Sequence, residues 1–405
     1  MHRDVTEDRL PKAAARGDLA LVRSLVKSGW NMEARGPASW DETVSTGDNK
    51  TTKRHKYPET TAVYRAAEAG HFDIVLFLLQ NGANANVRDH YNGKRGNSIL
   101  ITVVRKDFEK TTRLLLEYGS SYVSEALLEA SDCSTRNIVH SLLQYDADIE
   151  ATDSNGQTPL YKAAVRGSTS ITKLLLQEGA RFDAIMPDGQ SALCKAAGRG
   201  HSGAVRHLLR YGADPTVGQG RHGETMIYKA AWFGDFDVVR LLLDYGIDCN
   251  LPNAPRMTGY RNVYEQVLHG VAAGTRKSHS MMNAWGKRAL HAAAYRGHED
   301  VVQLLLENGA EVDAVGNDGE TAVYLAGHEH KGGVVKLLLR AGAKMKTEKY
   351  DPVLAVLNEQ NEERGGPQEV VQRFNDPQAL EQMGTDDMLV GFIAQLTQNF
   401  ARGRR

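Results

Sequence analysis

Apolar residues in this chain fall in short blocks that repeat one layout. Most blocks carry a pair of alanines, a glycine often followed by histidine, then an apolar triplet, two variable residues and a second glycine. Ala66-Ala67 with Gly70-His71, Ala196-Ala197 with Gly200-His201, and Ala292-Ala293 with Gly297-His298 show the first half. Leu174-Leu175-Leu176-Gln177-Glu178-Gly179-Ala180, Leu241-Leu242-Leu243-Asp244-Tyr245-Gly246 and Leu304-Leu305-Leu306-Glu307-Asn308-Gly309-Ala310 show the second. Ile74, Val75, Leu78 and Leu79 share one face at helical spacing, with polar residues opposite. Two helices per block are therefore predicted. The alanine pair marks a first helix that must approach its neighbours closely, and the glycine after the triplet ends the second helix as a left-handed cap. Asn155-Gly156, Asp188-Gly189 and Asp318-Gly319 suit tight turns between blocks.

The residue that follows each triplet at fixed phase gives a register. It is Gly29, Gly82, Gly119, Asp146, Gly179, Gly212, Gly246, Gly309 and Gly342, spaced 53, 37, 27, 33, 33, 34, 63 and 33 residues apart. A period of 33 stands out, with two long intervals and one short one. One helix pair cannot bury both its apolar faces alone, so stacking of neighbours must build the core.

This layout resembles the ankyrin repeat family, whose turn and two helices recur every 33 residues. The best match to the family motif is Asn155-Gly156-Gln157-Thr158-Pro159-Leu160-Tyr161-Lys162-Ala163-Ala164. His291 holds the motif's histidine place but lacks the preceding Thr-Pro. The resemblance implies an all-α ankyrin-repeat solenoid of about nine repeats over residues 8–345. Tyr64, Tyr161, Tyr228, His291 and Tyr324 share one repeat position, and His71, His201 and His298 read as helix-start residues rather than metal ligands.

Departures from the pattern divide the chain further. The solenoid is expected over 1–345, with insertions at 36–57 and 251–286, and a helical extension or cap over 346–405. The first insert is polar and aperiodic and reads as a loop. Its Lys53-Arg54-His55-Lys56 run is a short basic cluster. The second insert sets Arg256, Arg261, Arg276 and Lys277 against the single acid Glu265, and its residues 260–273 have a helix-like pattern. Between the third and fourth repeats the turn is shortened, and a bend or weak point is expected there. After the repeats, Leu389, Phe392, Ile393, Leu396 and Phe400 form one helical stripe that reads as a cap, or alternatively as a partner-binding helix.

By the same resemblance, the two residues before the glycine of each Gly-His pair face a concave groove. Arg166, Arg199 and Arg296 recur at the second place, and Lys106 joins them. Trp232, Phe233 and Tyr295 set three large aromatics where solvent is otherwise expected, a composition that marks binding. Trp285 of the second insert and His328 complete the candidate binding residues. The competing reading is that the second insert folds back over these rings.

Composition narrows the rest. The chain has 405 residues, 41% hydrophobic and 24% charged, with 49 Lys+Arg against 50 Asp+Glu for a net charge of −1. That balance argues against a general nucleic-acid binder. No apolar run reaches the ~18–20 residues of a membrane span. Cys133, Cys194 and Cys249 are too few and too scattered for a disulfide framework, so reduced thiols in the cytoplasm or nucleus are expected. Val271-Ala272-Ala273-Gly274-Thr275-Arg276-Lys277-Ser278 lacks the glycines of a phosphate loop, and no catalytic motif appears. The expected function is non-catalytic: a monomeric scaffold or adaptor for a protein partner, with no cofactor, metal, nucleic acid or membrane. The rival is an enzyme or small-ligand binder whose pocket combines the groove with the 251–286 insert.

Overall fold

The computed structural model of the chain describes residues 9–35, 39–46, 49–56, 60–91, 94–133, 135–217, 223–253, 286–317 and 319–344; over 39–56 and 90–95 only the backbone is described. The expected C-terminal cap, Trp285 and nearly all of the second insert lie outside these residues. The chain divides into two compact units, Met1–Arg181 and Phe182–Arg405.

Among the described residues, unit 1 contains five helix pairs. They are α1 (Arg9–Arg16) with α2 (Leu19–Lys27), α3 (Ala62–Ala69) with α4 (Phe72–Gln80), and α5 (Ile99–Arg105) with α6 (Glu109–Glu117). Then come α7 (Val123–Cys133) with α8 (Arg136–Gln144), and α9 (Pro159–Arg166) with α10 (Thr169–Gln177). The described residues of unit 2 contain four: α11 (Ala192–Ala197) with α12 (Ser202–Arg210), α13 (Met226–Phe233) with α14 (Phe236–Asp244), α15 (Ala289–Arg296) with α16 (Glu299–Glu307), and α17 (Ala322–His328) with α18 (Gly332–Arg340). In each unit the first helices pack side by side as one layer, and the second helices form another behind them.

The fifth repeat shows why the sequence folds this way. Thr158 Oγ1 accepts from the Tyr161 amide at 3.2 Å, and Pro159 fills the first helical turn where no amide donor is needed. Ala163 and Ala164 are wholly buried between neighbouring helices. Gly167 then takes φ +79° and turns the chain toward α10, where Ile171, Leu174 and Leu175 carry the core. Each such buried leucine contributes roughly 1.5–3 kcal/mol.

Where the glycines are missing, the backbone keeps the same turn. Asp107 (φ 59°) and His330 (φ 55°) stand in for the glycine after the first helix, and Asp146 (φ 58°) for the one after the second. The left-handed conformation is thus fixed by the architecture, and aspartate tolerates it better than most residues. The histidines that follow the glycines tie neighbouring repeats together. His71 Nε2 lies 3.1 Å from the Ala15 carbonyl, and His298 Nε2 lies 3.2 Å from that of Trp232. Each ring caps an end of the preceding first helix.

The first insert is not a loop. β1 (Ser39–Thr46) pairs antiparallel with β2 (Asn49–Lys56), from Ser39↔Lys56 to Thr46↔Asn49. Thr43, Val44, Thr46, Thr51 and Thr52 supply β-branched propensity without apolar alternation, which is why periodicity did not reveal it. A second, unforeseen hairpin joins β3 (Arg88–Tyr91) to β4 (Lys94–Ser98). Residues of this finger also compensate for the short interval before α7. Ser120 Oγ donates to the Ala85 carbonyl at 3.2 Å, the Ser121 amide donates to Asn86 Oδ1, and the Arg88 guanidinium sits 3.9 Å over the Tyr122 ring. The missing turn is replaced by bonds to the preceding finger, and α7 is lengthened to 11 residues.

Candidate functional site

The last residues of the first helices in unit 2 form an aromatic and charged surface. Tyr228, buried in the core one turn before Trp232 on α13, backs this surface, its ring stacked on that of Trp232 with centroids 6.2 Å apart and planes 23° apart. Tyr295 of α15 stacks on Trp232 more closely, at 5.3 Å and 12°. The Arg296 guanidinium lies 5.4 Å from the Trp232 centroid, within cation–π range. Trp232 and Tyr295 are half-buried by these contacts, whereas Phe233 remains 50% exposed. The repeat length explains the ladder: side-by-side first helices bring the same position of successive repeats into register.

Polar groups frame the stack. Burial raises the Tyr295 hydroxyl pKa, and the Glu329 carboxylate beside it, which the hydroxyl hydrogen-bonds, adds to the effect. His328 Nδ1 is 3.0 Å from Glu329 Oε1, and its ring tilts against Tyr324 at 6.2 Å. Lysines neutralise the finger carboxylates: Lys195 to Asp188 at 3.2 Å, Lys229 to Glu224 at 3.6 Å, and Lys287 to Glu320 at 3.0 Å. Lys229 also lies 3.8 Å from the buried Cys194 sulfur, whose thiol pKa is raised by burial, with the lysine acting the other way.

The candidate residues divide accordingly. Trp232, Tyr295 and Arg296 come together, His328 flanks them through Glu329, and Phe233 is the exposed neighbour of Trp232 in the chain. Arg199 is exposed in the turn after α11, on the same repeat position. Arg166 is exposed too, but it closes α9 in unit 1 and is no part of this cluster. Lys106, at the same repeat position in unit 1, donates its Nζ to the Glu68 carbonyl at 2.7 Å. Its neighbour Arg105 is held by Glu129 through two 3.0 Å bonds, which depress the Glu129 pKa. Among the described residues, no group of three His, Cys, Asp or Glu is arranged to hold a metal.

Sequence reasoning missed the supporting groups Lys229, Glu224, Lys287 and Glu320, and gave Tyr228 only an architectural role. One signal was available. A basic residue precedes the alanine pair in Arg65, Lys162, Lys195 and Lys229, and in the structure each finds a nearby acid: Glu68, Asp153, Asp188 and Glu224.

Comparison with known proteins agrees with the repeat. A family model described as ankyrin repeats (three copies) matches residues 10–126, 127–219, 186–253 and 258–349. Among solved structures, the crystal structure of the human ASB11 ankyrin repeat domain is 20% identical, with a TM-score of 0.44, covering 58% of this chain and 91% of that one. A search of curated proteins finds no match. Among the described residues, no helix is long and apolar enough to cross a membrane.

Proposed function

The chain belongs to the ankyrin repeat family, and from this we propose that the first-helix face of unit 2 holds a segment of a partner protein in a groove. Ankyrin repeats generally serve as protein–protein interaction modules, and the fold is typically non-catalytic. The observation that carries the reading is the stacked Trp232–Tyr295 pair, with the neighbouring residue Phe233 half exposed. Core packing alone does not require large rings there: the same position is Arg105 in the third repeat and Val165 in the fifth. Rings already fixed by stacking lose little entropy when a partner covers them, and Trp and Tyr are enriched among binding hot spots.

A random twelve-residue peptide library displayed on phage and selected on the full-length protein tests this. Trp232→Ala with Tyr295→Ala is expected to weaken the selected peptides by about 2–4 kcal/mol with the far-ultraviolet circular dichroism unchanged. Equal binding by a correctly folded double variant rejects the site.

A further inference from the structure

The charged groups around the stacked rings are not equally engaged, and the one left over bears on the chemistry of the partner. Asp188, Glu224 and Glu320 each have a lysine within 4 Å, and Glu329 is engaged through hydrogen bonds with the Tyr295 hydroxyl and His328 Nδ1. Glu311, on the finger of the next repeat, has Arg288 at 3.5 Å. Arg296 is different. It is exposed, and among the described residues no carboxylate forms an ion pair with it. The group it does meet is the Trp232 ring. This cation–π contact engages the charge of the guanidinium and none of its N–H donors, so they remain for a second group, and arginine takes a carboxylate with two parallel bonds. The Phe233 ring, 50% exposed, follows Trp232 directly in the chain.

We infer that the occupant of this face is an acidic peptide whose carboxylate sits on Arg296 and whose neighbouring apolar side chain covers Phe233. This rests on the partner-binding reading above and adds the chemistry of the partner. Charge complementarity selects it. A basic segment would meet the Arg296 cation and carboxylates already engaged by lysine, histidine and tyrosine. Nucleic acid draws its affinity from many phosphate contacts. A face whose lysines are spent on acids, in a chain of net charge −1, does not offer them.

The same displayed library, selected in ~0.15 M salt where long-range attraction is screened, is the probe. Enriched peptides are expected to carry Asp or Glu beside Phe, Leu, Ile or Met. Synthetic copies should bind Arg296→Gln roughly tenfold more weakly than the native protein, with Arg296→Lys recovering part of the loss and Arg166→Gln having no effect. Because Arg296 is exposed, these variants are expected to melt like the native chain, and matching melts are the control. Peptides of neutral or basic composition that Trp232→Ala with Tyr295→Ala abolishes but Arg296→Gln spares overturn this inference and leave the binding face standing. Peptides indifferent to both changes remove both readings. Displacement of the acidic peptides by an equimolar thymidine dodecanucleotide overturns the inference in favour of nucleic acid.

Discussion

His291 makes the stability of unit 2 depend on pH in a calculable way. The imidazole is 1% exposed on α15. Its Nδ1 accepts from the Arg288 amide at 3.1 Å, which leaves Nε2 to donate to the Ala314 carbonyl at 3.0 Å. Both nitrogens are thus satisfied in the neutral ring, and a second proton has no acceptor. Burial, assisted by the nearby Lys287 and Arg288 charges, pulls the pKa from its ordinary 6.5 down to about 4. Above pH 6.5 the ring is neutral in both folded and unfolded chains, and stability is intact. As pH falls from 6.5 toward 4, the unfolded chain takes up a proton that the folded one refuses, so stability is lost across that window. The full loss is about 3 kcal/mol, of which about 2 kcal/mol is reached by pH 5, above the main carboxylate range. Urea melts of native protein and His291→Gln at pH 7.5 and pH 5 measure it. Glutamine retains a donor and an acceptor but cannot titrate, so the native chain should lose about 2 kcal/mol more than the variant over that interval. Equal pH dependence in the two proteins would refute the argument. Tyr295 lies one helical turn beyond His291, so peptide capture should fall over the same window.

Three further outcomes follow from the repeat geometry. Asp235 takes the place that His71 and His298 fill elsewhere; burial raises its pKa against the attraction of His201 and His298, and its Oδ2 has no hydrogen-bond partner among the described residues. Asp235→His should raise the unfolding free energy by about 1 kcal/mol, because the ring would cap the Gly198 carbonyl as His298 caps that of Trp232; an unchanged or lower denaturation midpoint counts against this. Tyr64 shares a buried 2.6 Å bond with Thr102, so Tyr64→Phe should cost about 1 kcal/mol in a urea melt, and a neutral result would show the bond contributes nothing. Asp146→Gly should stabilise the chain by about 0.5–1 kcal/mol by relieving a positive φ, and a thermal midpoint that stays where it was would show that the added freedom of the unfolded chain cancels the gain.

Two kinds of information met in this fold. The local pattern was enough for everything that depends on short-range rules. Alanine pairs, apolar triplets and turn glycines marked the two helices of each repeat, because each encodes a steric or capping requirement of its own helix. The period then fixed which positions line up on the first-helix face, so Trp232, Phe233, Tyr295 and Arg296 were legible as a group from the chain alone. The hairpins were not, because β1 and β2 hold together by backbone pairing between threonine-rich strands with no apolar alternation to read. Nor was the fate of each charge. Lys106 and Arg296 occupy the same place in their repeats, yet one donates to a carbonyl 38 residues away and the other lies on an indole. Sequence determined which side chains reach this surface. Only the tertiary structure decided which are already engaged, because hydrogen bonds and ion pairs between repeats depend on distances of a few ångströms that no periodicity specifies.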